Sequence, residues 1–315
     1  MCGLYGFIDT KNKKVNKAAL IRGLAVAAQV RGTHATGIAY VTPAGEIAVQ
    51  KAAKAAKDFK FSLPKNVKAV MGHTRHTTQG TEKRNHNNHP FINADGTFAL
   101  AHNGILVNDK ELKISENLPQ TEIETDSYVA VQLLDKYGFD LKKMAELVSG
   151  MFTFTILDKD GNLHIVKNDS PFYLIEMGGL YVYGSTKEIV QAGLQAAGLK
   201  QKFKEIPVKQ GDILTITATG KMRHDSFVPN ESAWARWAYE RYTSDSNVLL
   251  DWYGLTEDEI QLLYDNYDED YVQYLIDHDE VEKALFELLR EEYRWMKREL
   301  NWYDRIYGRD LLYTN

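Results

Sequence analysis

The sequence predicts an α+β main domain with a helical segment behind it. Three features carry that reading: many short apolar runs bounded by turn residues, two sets of stretches with helical spacing set among them, and a composition change after residue 229. Residues 1–229 hold 22 acidic and 29 basic residues, a net of +7. Residues 230–315 hold 21 acidic and 9 basic residues, a net of −12, together with all five tryptophans, Trp234, Trp237, Trp252, Trp295 and Trp302. The chain is therefore read as a main domain, 1–229, and an acidic, aromatic-rich helical extension, 230–315.

Gly3 to Ile8 reads as a strand that begins almost at the first residue. Leu20, Leu24 and Ala27 or Ala28 recur at helical spacing, which predicts a helix over 17–30, closed at Arg31-Gly32. Gly37 to Val41 and Gly45 to Gln50 predict a hairpin about Pro43-Ala44-Gly45. Val67 to Thr74 is a further apolar strand and Phe98 to His102 a short one, with a loop rich in His and Asn between them. Thr125 to Tyr137 and 139–148 predict helices, the first stopped by Gly138. Met151 to Leu157 and Leu163 to Lys167 flank the turn Asp158-Lys159-Asp160-Gly161. Leu174 to Glu176 and Leu180 to Tyr183 form another strand pair, Thr186 to Ala197 a helix, and Asp212 to Thr217 a strand before a turn at Gly220. Beyond Pro229 short helices are expected at 256–264 and 268–276. Leu285, Leu289, Tyr293, Met296, Leu300 and Tyr303 then mark a long amphipathic helix from about 279 to 306. Its aromatic stripe fits packing against the main domain or a partner surface.

The whole chain of 315 residues is 44% hydrophobic and 26% charged, which fits a globular protein and excludes general disorder. It has no apolar run long enough for a membrane span, and its first residues do not form a secretory signal. One cysteine excludes an internal disulfide framework and suits the reducing cytoplasm. A net charge of −5 offers no general attraction to nucleic acid. No phosphate-binding loop or dinucleotide fingerprint is present, so this chain is not expected to use ATP.

The single cysteine stands at position 2. Once Met1 is removed, Cys2 would carry a thiol and a free α-amine in one residue, a nucleophile with its own base. Around it lie, in order, Cys2-Gly3-Leu4-Tyr5-Gly6, Arg31-Gly32 through Gly37, Gly72-His73-Thr74-Arg75 through Gly80, His89-Pro90-Phe91, Ala101-His102-Asn103-Gly104-Ile105, Thr125-Asp126-Ser127, Gly150-Met151-Phe152-Thr153-Phe154 and Gly184-Ser185-Thr186-Lys187-Glu188. Taken singly, Arg75 is an ion-pair residue, Asp126 an N-cap or first-turn acid, and Asn103-Gly104 a turn dipeptide.

As an ordered set over roughly residues 2–220 they resemble the class II, N-terminal-nucleophile glutamine amidotransferases. The resemblance implies a four-layer αββα glutaminase fold and hydrolysis of the glutamine side-chain amide through a Cys2 thioester. It assigns Asn103 and Gly104 to an oxyanion hole, Arg75 to the substrate α-carboxylate, Asp126 to its α-amine and Thr78 to a further polar contact. The implied cycle uses no cofactor and no metal. The ammonia acceptor is expected to be a separate enzyme, because residues 230–315 show no second active-site motif.

The chain departs from the family pattern at two loops. Thr33-His34-Ala35-Thr36 replaces a segment that commonly holds an acidic residue and a serine, and His76-Thr77-Thr78-Gln79 replaces Trp-Ala-Thr-His. These changes leave open an N-terminal-nucleophile hydrolase of another amide, or a catalytically retired interaction protein. His73, His76, His86 and His89 also form an H-x2-H…H-x2-H pattern that zinc could use, although His73 and His89 already belong to the resemblance.

Overall fold

In the computed structural model β1 (Gly3–Asp9) starts directly after Cys2, and all seven of its residues are buried. The structure describes residues 2–230, 260, 263–264, 266–277, 280–281 and 284. Strand periodicity sends Leu4 and Ile8 to one face of β1 and Tyr5 and Phe7 to the other, and both faces are covered. Full burial of each such side chain contributes about 1.5–3 kcal/mol. A strand apolar on both faces therefore belongs in the middle of a sheet.

β1 lies between β4 (Ala69–Arg75) and β10 (Leu180–Gly184), antiparallel to both. With β2 (Ala35–Val41), β3 (Ile47–Ala52), β9 (Tyr173–Met177) and β11 (Lys204–Glu205) they make a seven-stranded sheet, β11-β9-β10-β1-β4-β2-β3. The second sheet has six strands, β13-β12-β8-β7-β6-β5. These are β5 (Phe91–Ile92), β6 (Phe98–Leu106), β7 (Gly150–Asp158), β8 (Leu163–Lys167), β12 (Asp212–Ile216) and β13 (Met222–Ser226).

Three apolar clusters define four layers. Leu20, Ile21 and Leu24 of α1 (Lys17–Ala28) and Ile189, Val190 and Leu194 of α5 (Lys187–Ala196) pack on the outer face of the first sheet. Leu4, Ala39 and Met71 meet Ala101, Ile165 and Leu214 between the sheets. The outer face of the second sheet carries α2 (Asp109–Ser115), α3 (Tyr128–Lys136) and α4 (Leu141–Leu147) through Leu112, Val129, Leu133 and Met144. The αββα order implied by the resemblance is the one observed.

Several boundaries differ from the sequence reading. The strand expected over 98–102 runs to Leu106, carrying Asn103 and Gly104 inside the β6–β7 ladder opposite Thr153 and Phe152. The helix expected from Thr125 begins at Tyr128, because Asp126 and Ser127 lie in a turn turned toward β6. The structure adds α2, β5, β11 and β13, which the sequence reading does not contain. Strand β13 is exposed at all five residues and has no apolar alternation, so only its pairing with β12 defines it.

The chain divides into two compact units, 1–234 and 235–315. In the second, α6 (Glu269–Asp277) lies where the 268–276 helix is expected, and Leu263, Val272, Leu275, Ile276, Val281 and Ala284 form a small core. The five tryptophans and nearly all of the helix expected from about 279 to 306 lie outside the described residues. No helix among the described residues is long and apolar enough to cross a membrane.

Candidate active site

Cys2 is half-buried at the start of the central strand β1. Its Sγ lies 3.5 Å from the carbonyl oxygen of His76, to which the thiol donates. Its own carbonyl accepts 2.8 Å from Nε of Arg31, in the 3-10 turn that ends α1. Burial pushes the Cys2 thiol up, opposed by the His76 contact and the nearby Arg75 charge, with Asp126 acting in the raising direction. The resting sulfur is therefore protonated, and attack requires a base.

Arg75, the last residue of β4, is buried to 3% exposure. Nη1 donates to Oδ1 of Asn88 at 2.9 Å, and Nη2 donates to the carbonyls of Gln79 at 2.6 Å and Gly80 at 3.0 Å. Three of the five guanidinium N–H groups are thus committed to the loop, which leaves two for a ligand. Gly32 is required beside this strand for space: a Cβ there would collide with the Arg75 backbone. Lys51 braces the far side of the loop, donating to the carbonyls of Asn88 at 2.6 Å and Pro90 at 3.2 Å. Burial, then the Arg75 charge, lowers Lys51 to about 8.

Asn103 is 1% exposed, and its Nδ2 makes no hydrogen bond within the described protein. Gly104 follows at φ +139°, a conformation that side chains rarely adopt, and a Cβ there would strike the carbonyl oxygen of Met151. The Asn-Gly pair is no hairpin turn here; it is a distorted stretch of strand with a buried, uncommitted amide donor. His73 Nε2 donates to the carbonyl of His102 at 2.9 Å, tying β4 to β6 near the Arg75 and Asn103 positions. Burial holds His73 at about 3, so the ring is neutral.

Asp126 is 6% exposed and reaches back to β6, where Oδ2 accepts the Leu106 backbone N–H at 2.7 Å. Oδ1 accepts the Ser127 hydroxyl at 3.2 Å, and Ser127 in turn lies 2.8 Å from Nδ1 of His102. The carboxylate is oriented from both sides and keeps lone pairs for a cation.

Cys2, Arg75 and Asp126 interact electrostatically at one end of the sandwich. Thr78 differs, standing exposed at the bend after β4. Supporting residues that the sequence reading does not assign are Arg31 on Cys2, Asn88 on Arg75, and His102 with Ser127 behind Asp126. Among the described residues no group of three or more His, Cys, Asp or Glu side chains is placed to hold a metal. The His73 and His89 rings lie against each other, tilted by 33° with centroids 4.1 Å apart.

This αββα architecture is similar to that of glutamine phosphoribosylpyrophosphate amidotransferase from Bacillus subtilis. The likeness has a TM-score of 0.57 and 22% identity, covering 73% of this chain and 50% of that one. Residues 73–192 match the family model described as a glutamine amidotransferase domain. Glutamine–fructose-6-phosphate aminotransferase (isomerizing) of Fusobacterium nucleatum is 29% identical over 257 residues, 76% of this chain and 40% of that protein. The Bacillus subtilis protein of the same name is 32% identical over 194 residues, 58% of this chain and 31% of its own length. Residues 73–192 thus match a glutamine amidotransferase domain, within a chain similar to the amidotransferase end of these relatives. The chain spans less than half the length of these curated relatives.

Proposed function

We propose that the chain hydrolyses the side-chain amide of glutamine at Cys2 and supplies the ammonia to an acceptor reaction. The observation that carries this reading is the buried, unpaired Nδ2 of Asn103 beside Gly104. A fully buried amide donor without a partner costs about 1–3 kcal/mol, a cost repaid when negative charge forms in front of it.

With Met1 removed, the Cys2 α-amine takes the Sγ proton, and sulfur attacks the glutamine Cδ. Nδ2 of Asn103 and the N–H of Gly104 hold the resulting oxyanion. The α-ammonium group protonates the leaving nitrogen, the C–N bond breaks, and ammonia departs from a γ-glutamyl thioester. Water, deprotonated by the same amine, attacks the thioester, the C–S bond breaks, and glutamate and the thiol are released. Arg75 receives the substrate α-carboxylate through its two uncommitted N–H groups, Asp126 receives the α-ammonium, and exposed Thr78 adds a contact from the loop. Binding energy at the amino-acid end thereby aligns the amide.

We assign the acceptor reaction to a further domain or enzyme, because residues 230–315 carry no second active-site motif. The reaction is placed in the cytoplasm, where a lone thiol stays reduced. Incubation of Met1-processed protein with glutamine should yield equimolar glutamate and ammonia, with a mass increase on Cys2 in rapidly quenched samples. Cys2→Ala should lose both. A processed protein that forms neither product with any acceptor or partner, or a Cys2→Ala variant with the native rate, overturns the reading. Transfer of ¹⁵N to an organic acceptor by residues 1–315 alone overturns only the assignment of the acceptor reaction to a further domain or enzyme.

A further inference from the structure

His34 immediately precedes β2 and grips the segment after Arg75 in three ways. Its backbone N–H donates to the Arg75 carbonyl at 3.0 Å. Its Nδ1 accepts the Thr77 backbone N–H at 3.0 Å. Its ring stacks on His76, with centroids 4.9 Å apart and planes inclined by 26°. An imidazole nitrogen can accept only through a lone pair, so Nδ1 is bare and the ring proton lies on Nε2.

The other side of the same segment faces the site: the His76 carbonyl accepts from Cys2 Sγ, and the Gln79 and Gly80 carbonyls accept from Arg75. We propose that neutral His34 is a positioning residue for glutamine hydrolysis. It fixes residues 76–80 so that their carbonyls meet Cys2 and Arg75, and a proton on Nδ1 releases them by setting two donors face to face. The inference rests on the roles proposed above for Cys2 and Arg75.

The charged and titratable groups around the ring are Glu82, which accepts the Thr77 hydroxyl at 3.2 Å, Lys83 beside it, and His76 in the stack. Burial first, and then repulsion that includes His34, holds His76 below its usual range.

Processed full-length protein and its His34→Asn, His34→Ala and His76→Phe variants separate the possibilities. Asn can present Oδ1 to the Thr77 N–H and cannot be protonated there. His34→Ala removes the acceptor, and Phe preserves the stack without titrating. Expected are an Nε2–H tautomer for His34 by ¹⁵N NMR near neutrality and faster hydrogen exchange of the Thr77 amide in His34→Ala. That variant should also show a loss of about tenfold in kcat/KM near neutrality, the equivalent of one hydrogen bond, and a smaller loss on the acid side where the native contact is released.

His34→Asn should restore most of that loss and retain more of its plateau activity than the native protein on the acid side, with His76→Phe following the native profile. An Nδ1–H tautomer, unchanged Thr77 exchange in His34→Ala, or acid resistance in His76→Phe in place of His34→Asn overturns the inference. Failure of the native protein to use glutamine overturns the glutaminase reading; the tautomer and Thr77 exchange test the His34 contact independently of turnover.

Discussion

Arg31 donates from Nε to the backbone carbonyl of Cys2 at 2.8 Å, so the end of α1 holds the main chain of the residue whose side chain is proposed to react. This contact leaves the sulfur free to turn while its backbone stays in place. Replacing Arg31 with Gln should lower kcat by about 100-fold, the effect of misplacing a reacting atom by roughly 1 Å, with KM little changed. Steady-state kinetics beside a thermal melt check it; a rise confined to KM would place Arg31 in substrate binding instead.

Asn103→Ala should lower kcat by about 10²–10³-fold, or roughly 3–4 kcal/mol, and leave KM nearly unchanged, because the donor is proposed to act on the developing oxyanion. Folding should be preserved, since Nδ2 makes no hydrogen bond within the described protein. Turnover within a factor of two of the native rate would remove Asn103 from the oxyanion hole.

Asp126→Asn keeps an oxygen for the Leu106 N–H and removes the negative charge. The expected outcome is a KM for glutamine raised at least tenfold, with weaker discrimination against glutamine analogues that lack the α-amine. Equal losses toward glutamine and those analogues would show that Asp126 does not read the amine.

Gly104→Ala adds a Cβ at φ +139° and drives it against the Met151 carbonyl. The strain alone costs about 1–3 kcal/mol, and relieving the collision must shift β7 or β6. A lowered melting temperature together with lost turnover is expected, measured by calorimetry and the glutaminase assay. A variant with native stability and rate would contradict this geometry.

Acid should destabilise the main unit through its buried histidines. Burial holds His73 at about 3 against an ordinary 6.5, and lowers His89 and His102 as well. Between about 6.5 and 3 the unfolded chain binds a proton that folded His73 rejects. Stability is therefore full above that window and is lost as pH falls through it. Urea midpoints at about pH 7.5 and about pH 5 should show the drop, and His73→Asn should reduce it. A midpoint independent of pH would mean that these rings accept protons in place.

Local sequence determined the elements whose side chains repeat with a clear period. Leu4, Tyr5, Phe7 and Ile8 mark β1, Leu20 and Leu24 mark α1, and Asp158–Gly161 marks the turn between β7 and β8, because each pattern buries a face or meets a turn's backbone requirement. The ordered blocks around Cys2, Arg75, Asn103 and Asp126 likewise pointed to the family from sequence. Strand β13 was not legible, since an exposed edge strand is defined by its neighbour's hydrogen bonds and not by its own apolar spacing. The same reason hid Arg31 on Cys2, Asn88 on Arg75 and His34 on Thr77, contacts that span 29, 13 and 43 residues of chain. Tertiary structure alone decided that Asn103-Gly104 is strand and not turn: its register with Thr153 and Phe152 places the pair within β6, with Nδ2 of Asn103 unpaired within the described protein.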